Sequence, residues 1–204
     1  MNTMTRLLFL WLLAVSTCVA QPTPPQSAVY EHTVDRGDHD YRPGHELALQ
    51  RAVDSFRLDF RLPTSAWFHP TNSPVGRDGL DWLKLGGVSY MSFWKWSSWP
   101  KNRYSILVGF RPDEEPGRWE IAAYANDSGG GHSAQHFATV PDSLYSLYAY
   151  HLGDGEWEYR LAGFRTTRMK TTPLSHTVGV GPWHGGTSAA QKRTTIYAVQ
   201  RYSW

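Results

Sequence analysis

The sequence predicts an all-β protein, an antiparallel β-sandwich of the jelly-roll type. Two observations support this fold class. Apolar and polar residues alternate with a period of two in five separate runs, which is the pattern of strands with one buried face. Turns rich in glycine and proline separate these runs. Many short strands joined by such turns are typical of a sandwich in which one curved sheet offers its face to a ligand.

The alternating runs are spread along the chain from residue 56 to residue 199. In the first run, Phe56, Leu58 and Phe60 lie on one side, and Arg57 and Asp59 lie on the other. The other four runs cover residues 104–111, 119–124, 156–161 and 195–199. Each run predicts a half-buried strand, since alternate side chains of a strand point to opposite faces of its sheet.

Turn sequences connect the predicted strands. Residues 112–117, Pro-Asp-Glu-Glu-Pro-Gly, predict a hairpin, and Gly153-Asp154-Gly155 predicts a tight turn between strands at 145–151 and 156–163. The Asn-Asp-Ser-Gly-Gly-Gly run at 126–131 predicts a mobile loop. The one indication of a helix lies at residues 46–53.

Residues 1–20 predict an export signal. Arg6 precedes an apolar run at 7–15, which is too short to span a bilayer, and the small Ala20 suits a cleavage site. We therefore expect cleavage after Ala20 and a protein that is secreted or periplasmic. A second interpretation is a lipoprotein that is anchored through Cys18.

After the signal, the chain divides into a tether and one domain. Residues 21–27 predict an extended proline-rich tether, and residues 28–204 predict a single β-sandwich domain. Cys18 is the only cysteine, so the mature chain would have neither a disulfide nor a thiol nucleophile.

The net charge of the chain and its distribution limit the kinds of partner that the protein could bind. The formal net charge is +2 and no block of basic residues is present, which argues against nucleic acid. No second apolar run is long enough to cross a membrane. The oligomeric state stays open.

Five short motifs carry a resemblance that covers most of the mature chain. They are Arg-Gly-Asp-His at 36–39, Trp-Leu-Lys-Leu-Gly at 82–86, the strand at 104–110, Glu-Ile-Ala-Ala-Tyr at 120–124, and residues 182–190, which begin Pro-Trp-His-Gly-Gly. In these motifs the chain resembles a group of uncharacterised secreted bacterial β-sandwich proteins, which are similar to the concanavalin-like lectins and glucanases. The resemblance implies a jelly roll and an exported protein that works among glycans. It implies no particular activity.

Residues 93–99, Phe-Trp-Lys-Trp-Ser-Ser-Trp, place three tryptophans within seven residues beside polar neighbours. Such rings suit stacking on the C–H faces of sugars, so the sequence predicts a protein that binds polysaccharide. The predicted ligand-binding residues are Trp82, Lys84, Trp94, Trp96, Trp99 and Trp183. Two alternatives stay open, because the same rings could fill the core or contact a membrane surface.

A polysaccharide lyase is the alternative function. This β-elimination needs a base beside the uronate carboxylate and a group that neutralises the carboxylate. The candidates are Tyr124 or His184 as the base and Arg103 as the group that neutralises the carboxylate. His136 is a further candidate, because Gln135-His136-Phe137 resembles the Gln-x-His strand of jelly-roll alginate lyases. No Glu-x-Asp-x-x-Glu run of the kind that jelly-roll glucanases carry on one strand is present, and no Gly-x-Ser-x-Gly elbow is present.

Metal chemistry has little support in the sequence. His132 and His136 are four apart, a zinc spacing only on a helix, and the pattern around them predicts a loop and a strand. A structural calcium ion near Asp38, Asp40 or Asp127 is the only cofactor that the sequence suggests.

Overall fold

The computed structural model describes residues 30–43, 49–50, 52–70, 81–92, 103–128, 130–161, 166–185 and 189–204. In this part of the chain, two six-stranded antiparallel sheets pack face to face as a β-sandwich of the jelly-roll type. A short 3₁₀ turn spans Thr64–Ala66. The predicted all-β fold class is confirmed, whereas the predicted signal at 1–20 and tether at 21–27 lie outside the described residues.

The described strands follow one another closely along the chain. In chain order they are β1 (Tyr30–Val34), β2 (Leu49–Gln50), β3 (Ser55–Arg61), β4 (Leu83–Met91), β5 (Ser105–Pro112), β6 (Trp119–Asp127), β7 (Gly130–Ala138), β8 (Leu144–Gly153), β9 (Glu156–Leu161), β10 (Thr167–Lys170), β11 (His176–Val180) and β12 (Thr194–Ser203). The first sheet has the order β1-β12-β3-β8-β9-β10, and the second has the order β2-β11-β4-β5-β6-β7.

Alternate residues of the two sheets meet in one core. Strand β3 buries Phe56, Leu58 and Phe60, and the facing sheet contributes large rings such as Phe110 and Trp119. Each such side chain contributes about 1.5–3 kcal/mol to folding when it is removed from water. All five predicted alternating runs are strands, because their apolar sides form this core.

Two predicted turns are also confirmed. Strand β5 ends at Pro112 and β6 begins at Trp119, so residues between them form the predicted hairpin connection. Strands β8 and β9 meet at the Gly153-Asp154-Gly155 turn, where all three residues have positive φ. Glycine is suited to two of these positions because it lacks the Cβ that disfavours this conformation.

Two local predictions are wrong. Most of the loop predicted at 126–131 belongs to paired strands, since Asn126 pairs with Gly131 and Asp127 pairs with Gly130. Within the helix predicted at 46–53, Leu49–Gln50 form β2, which pairs with β11. In both places pairing with a neighbouring strand outweighs the local sequence preference.

Strand β4 carries a bulge that determines where its lysine points. Lys84 lies opposite Gly109, but Gly86 lies opposite Val108, so Leu85 is an extra residue in β4. The extra residue changes the alternation, and Lys84 lies on the outer face of the second sheet while Leu83 and Leu85 enter the core.

Candidate functional site

The outer face of the second sheet carries its own apolar cluster, separate from the core. Its buried members are Trp82, Leu107, Ala122, Tyr124 and Val180, with the half-buried Trp183 packed against them. Leu107, Ala122 and Tyr124 alternate along β5 and β6 with core residues, so the cluster projects from the side of the sheet that faces away from the sandwich. We call this surface the aromatic face, and it also includes Lys84, Arg111, Glu120, Ser133 and His136.

A glycine makes room for the indole of Trp82. A Cβ atom on Gly109 would lie 3.0 Å from the Trp82 ring, closer than such atoms normally approach. Above the sheet, the Arg111 guanidinium lies 4.5 Å from the centroid of the same ring. The backbone N–H of Trp82 donates to the Asp81 carboxylate at 2.7 Å. The indole is thus fixed between a strand backbone and a cation.

Lys84 lies beneath the rings of this face. Lys84 is only 5% exposed, and its Nζ donates to the backbone carbonyl of Trp82. The same Nζ is 4.2 Å from the centroid of the Tyr124 ring and 6.0 Å from that of Trp183. Burial lowers the pKa of Lys84 to about 8, and the charge of Asp81 opposes part of this shift.

The backbone of Lys84 also holds Trp183 in place. The Lys84 N–H donates to the Trp183 carbonyl at 3.1 Å, and the Trp183 N–H donates back to the Lys84 carbonyl at 3.0 Å. Gly185 follows, and a Cβ at this position would collide with the Trp82 carbonyl. The segment after β11 therefore lies close against the start of β4.

Tyr124 remains a neutral phenol under ordinary conditions. Burial, and secondarily the charge of Asp81, raise the pKa of its hydroxyl above the usual value. Gly131 of β7 lies beside it, and a Cβ there would collide with the Tyr124 hydroxyl. The glycine that was predicted to loosen a loop instead makes space for a ring on this face.

A polar array borders the rings. Arg111 Nε donates to Glu120 at 2.5 Å, and His136 Nδ1 lies 3.0 Å from the other oxygen of Glu120. Because a carboxylate only accepts, Nδ1 carries a proton, and in the neutral ring Nε2 accepts from the Ser133 hydroxyl at 3.1 Å. The His136 ring meets Trp82 edge to face at 4.9 Å. The array therefore presents fixed donors and acceptors next to the aromatic surface.

The structure brings together five of the residues that the sequence singled out. These are Trp82, Lys84, Tyr124, His136 and Trp183. Arg111 and Glu120 were missed, although the hairpin that places them directly opposite each other was predicted. Opposite charges at facing positions of a hairpin are a detectable signal. Trp94, Trp96 and Trp99 lie outside the described residues.

Two other candidates lie elsewhere. The ring of His184 stacks on Phe68 at 6.0 Å and contacts His39 edge to face, on the core side of its segment. Arg103 is exposed and lies over the ring of Tyr104. Arg103 precedes β5, which begins at Ser105, whereas Tyr124 lies opposite Leu107 within the sheet.

The structure adds little support for a metal site or for a membrane-spanning segment. Among the described residues, no three His, Cys, Asp or Glu side chains are placed to hold a metal ion. The suggestion of a structural calcium ion stays a prediction. No helix in the described ranges is long and apolar enough to cross a membrane.

The fold and this site together define a jelly-roll β-sandwich with an aromatic outer face. No protein-family model and no curated protein match the sequence. Solved structures with a similar fold include a heptameric SAP-like pentraxin from Limulus polyphemus, which has a TM-score of 0.41 and 11% identity over 84% of this chain and 75% of that chain.

Two further structures match at a similar level. The carbohydrate-binding module CBM66 from Bacillus subtilis has a TM-score of 0.40 and 13% identity over 85% of this chain and 92% of its own. A marine PL7 alginate lyase from Zobellia galactanivorans has a TM-score of 0.41 and 16% identity over 76% of this chain and 64% of its own. Likeness at this level carries no argument about what this chain binds.

Proposed function

We propose that this chain is an exported glycan-recognising protein that binds a polysaccharide on the aromatic face. The observation that carries the proposal is a cluster of aromatic side chains on the side of a sheet that faces away from the core, bordered by hydrogen-bonding groups held in fixed positions. Carbohydrates need this combination, because a sugar ring has apolar C–H faces and a rim of hydroxyl groups.

Trp183 and the polar array are the accessible parts of this face. Trp183 is half-buried, and the side chains of Arg111, Glu120 and His136 are each about one quarter to one third exposed. Trp82 and Tyr124 support them from below. Because their partners hold these groups in place, a bound sugar would immobilise few additional side chains, and the entropic cost of binding falls.

Binding is better supported than a lyase reaction. A base that removes a sugar proton should have a pKa near the working pH, and burial moves the pKa of Tyr124 upwards. Both ring nitrogens of His136 have hydrogen-bond partners in Glu120 and Ser133. Arg103 lies over the ring of Tyr104, outside the array that borders the aromatic face. Lys84 has a pKa of about 8, but its Nζ is buried and donates to the Trp82 carbonyl, so it does not offer an accessible base. The face therefore supplies contacts for a ligand.

The first test is a binding assay with Trp183→Ala. Soluble polysaccharides of neutral and acidic types are titrated calorimetrically into the mature protein. We expect the variant to weaken binding of the preferred polymer by at least about tenfold. Trp204→Ala is the matched control, because Trp204 is 72% exposed at the far end of β12. Unchanged affinity in a folded Trp183→Ala protein would contradict the proposal.

Mass spectrometry of the polymers after incubation separates binding from chemistry. Intact polymers are the expected result. Unsaturated fragments would establish a lyase instead, and fragments with an added water would establish a hydrolase. If no polymer binds but the protein sediments with liposomes, the membrane-contacting alternative would replace the proposal, and Trp94 and Trp99 become the residues to change.

A further inference from the structure

The opposite outer surface of the sandwich, on the first sheet, has a different chemistry. Arginines and tyrosines project from neighbouring strands there, away from the core. We call this surface the arginine face, and its members are Arg57, Arg61, Tyr148, Tyr150, Arg160, Arg168 and Arg201.

Strand register places these residues in rows. Arg201 of β12 is opposite Arg57 of β3, which is opposite Tyr148 of β8, which is opposite Arg160 of β9. Three strand spacings separate the ends of this row, so it is about 14 Å long. In the next row, Tyr150 is followed by Glu158 and then by Arg168 of β10.

The tyrosine rings hold the guanidinium groups of Arg57 and Arg160 in place, and each guanidinium uses part of its N–H edge for a neighbouring carboxylate. Arg57 lies 5.3 Å from the centroid of Tyr148, and Arg160 lies 4.9 Å from that of Tyr150. The two tyrosine rings are nearly parallel, with centroids 6.4 Å apart and planes 8° apart. A guanidinium that stacks through its face keeps its N–H edge for an in-plane partner.

The carboxylates of this surface lie beneath its arginines. Asp59 is fully buried and accepts from Arg57 at 2.8 Å and from Arg201 at 2.7 Å. Glu158, with a side chain 11% exposed, accepts from Arg160 at 2.7 Å. The side chains of Arg160 and Arg168 are 60% and 62% exposed. The charges of Asp59 and Glu158 are therefore covered by arginines, whereas the Glu156 side chain is 38% exposed at the edge of the face, beside Arg168.

The positive charge also exceeds the negative charge. The outer side of this sheet carries five arginines and Lys170 against four carboxylates, those of Glu31, Asp59, Glu156 and Glu158, which leaves a surplus of two positive charges (6 − 4). Arg57, Arg160, Arg168 and Arg201 form ion pairs, whereas Arg61 lies over the ring of Tyr197. This surplus equals the formal net charge of the whole chain, +2. The face is a local concentration of positive charge on a nearly balanced protein.

We propose that the arginine face binds an acidic polysaccharide through its carboxylate groups. Arginine edges match carboxylates in a bidentate geometry, and a row of them across a sheet suits a polymer that repeats the same group along its length. The site is distinct from the aromatic face, which lies on the other sheet, and the proposal stands whether or not the aromatic face binds glycan.

The test uses polygalacturonate as the acidic probe and dextran as the neutral one, with the mature protein at low salt. The double variant Arg160→Gln/Arg168→Gln removes the two most exposed arginines of the face without uncovering Asp59. We expect it to bind polygalacturonate about tenfold more weakly, and we expect wild-type binding to weaken as salt is added. Thermal unfolding of the variant checks that the fold is retained.

The matched control is Arg42→Gln/Arg193→Gln. Both arginines are largely exposed and each lies near one aspartate, so the control removes the same charge from elsewhere. We expect its affinity to stay within about twofold of wild type.

Three results would overturn the proposal. The first is an equal loss in both double variants, which would mean a response to net charge alone. The second is loss of polygalacturonate binding in Trp183→Ala with none in Arg160→Gln/Arg168→Gln, which would assign the acidic polymer to the aromatic face. The third is tighter binding of single-stranded oligothymidylate than of polygalacturonate, which would identify a nucleic-acid surface.

Discussion

The two outer faces of the sandwich bury charges of opposite sign. The aromatic face has a cation beneath it, since Lys84 lies under Tyr124 and Trp183 and donates to a backbone carbonyl. The arginine face has an anion beneath it, since Asp59 lies under Arg57 and Arg201. The same architecture thus produces one surface that is mainly aromatic and one that is mainly cationic.

This difference shows how a buried charge shapes the surface above it. Asp59 needs strong donors, and arginines from two strands supply them and remain partly exposed. Lys84 is surrounded by ring faces and a carbonyl, which compensate a positive charge less completely, so its pKa falls. We therefore expect the fold to lose stability when the charge of Asp59 is removed and to gain stability when Lys84 loses its charge.

Asp59→Asn should have the largest effect on stability. The substitution keeps the size of the side chain but removes a charge that accepts from Arg57, Arg201 and the Ser146 hydroxyl. Hydrogen bonds to charged groups contribute about 1.5–3 kcal/mol each when buried, and partial exposure of the arginines reduces this, so we expect a loss of about 3 kcal/mol. Urea unfolding at neutral pH measures it.

The control for Asp59→Asn is Asp35→Asn. Asp35 is exposed and lies 3.5 Å from Arg193, so its loss should cost less than about 0.5 kcal/mol. Equal stability of Asp59→Asn and wild type would mean that Asp59 does not organise the arginine face.

Lys84→Met should reveal that the positive charge of Lys84 opposes folding, unlike the negative charge of Asp59. The folded protein lowers the pKa of Lys84 from its unfolded value of about 10.5 to about 8, so the unfolded state binds more protons between these values. Stability from this group therefore rises with pH, by about 2 kcal/mol between pH 7 and pH 9.5. The free energy of unfolding of wild type, minus that of Lys84→Met, should increase by this amount.

Measuring a difference between two proteins removes other contributions to this pH dependence. The buried tyrosines are common to both proteins, and the lost bond to the Trp82 carbonyl affects both pH values alike. Lys170→Met, at an exposed position of β10, serves as the control. A difference that stays constant from pH 7 to pH 9.5 would show that the lysine is not desolvated by the aromatic face.

The sequence predicts the arginine face only in part, because many of its contacts join residues that are far apart in the sequence. Arg57, Asp59 and Arg61 alternate with core residues in one strand, so their shared outward direction is readable. Their partners Tyr148 and Arg201 come from strands far along the chain, and only the observed register brings them together.

The aromatic face was harder to predict for a different reason. Strand β4 is buried along all nine of its residues, so it lacks the alternation that identified the other strands. Leu83-Lys84-Leu85 alternates, but the bulge at Leu85 puts the rest of β4 out of phase with it, and no local pattern specifies that bulge. Tyr124 and Glu120 lie on one face of a predicted strand. Of the glycines that accommodate the rings, Gly131 appears in the sequence as a signal for a loop, and Gly109 lies within a predicted strand with nothing to indicate the ring beside it.

Those glycines offer the sharpest test of how closely the aromatic face is packed. A Cβ on Gly131 would collide with the Tyr124 hydroxyl and lie 2.7 Å from the Asn126 side-chain oxygen, whereas a Cβ on Gly109 would lie 3.0 Å from the Trp82 ring. Overpacking typically costs about 1–3 kcal/mol, so we expect Gly131→Ala to lose about 2 kcal/mol and Gly109→Ala about 1 kcal/mol. Urea unfolding gives both values.

The same two variants separate packing of the face from its role in binding. If Tyr124 must move to admit the new methyl group, polysaccharide affinity should fall in Gly131→Ala while carboxylate binding at the arginine face stays unchanged, because the two faces lie on different sheets. Distant sites contribute independently, so combining Gly131→Ala with Arg160→Gln/Arg168→Gln should give additive changes in stability within about 0.5 kcal/mol. A strongly non-additive result would show that the faces communicate through the core and that the contrast between them is not local.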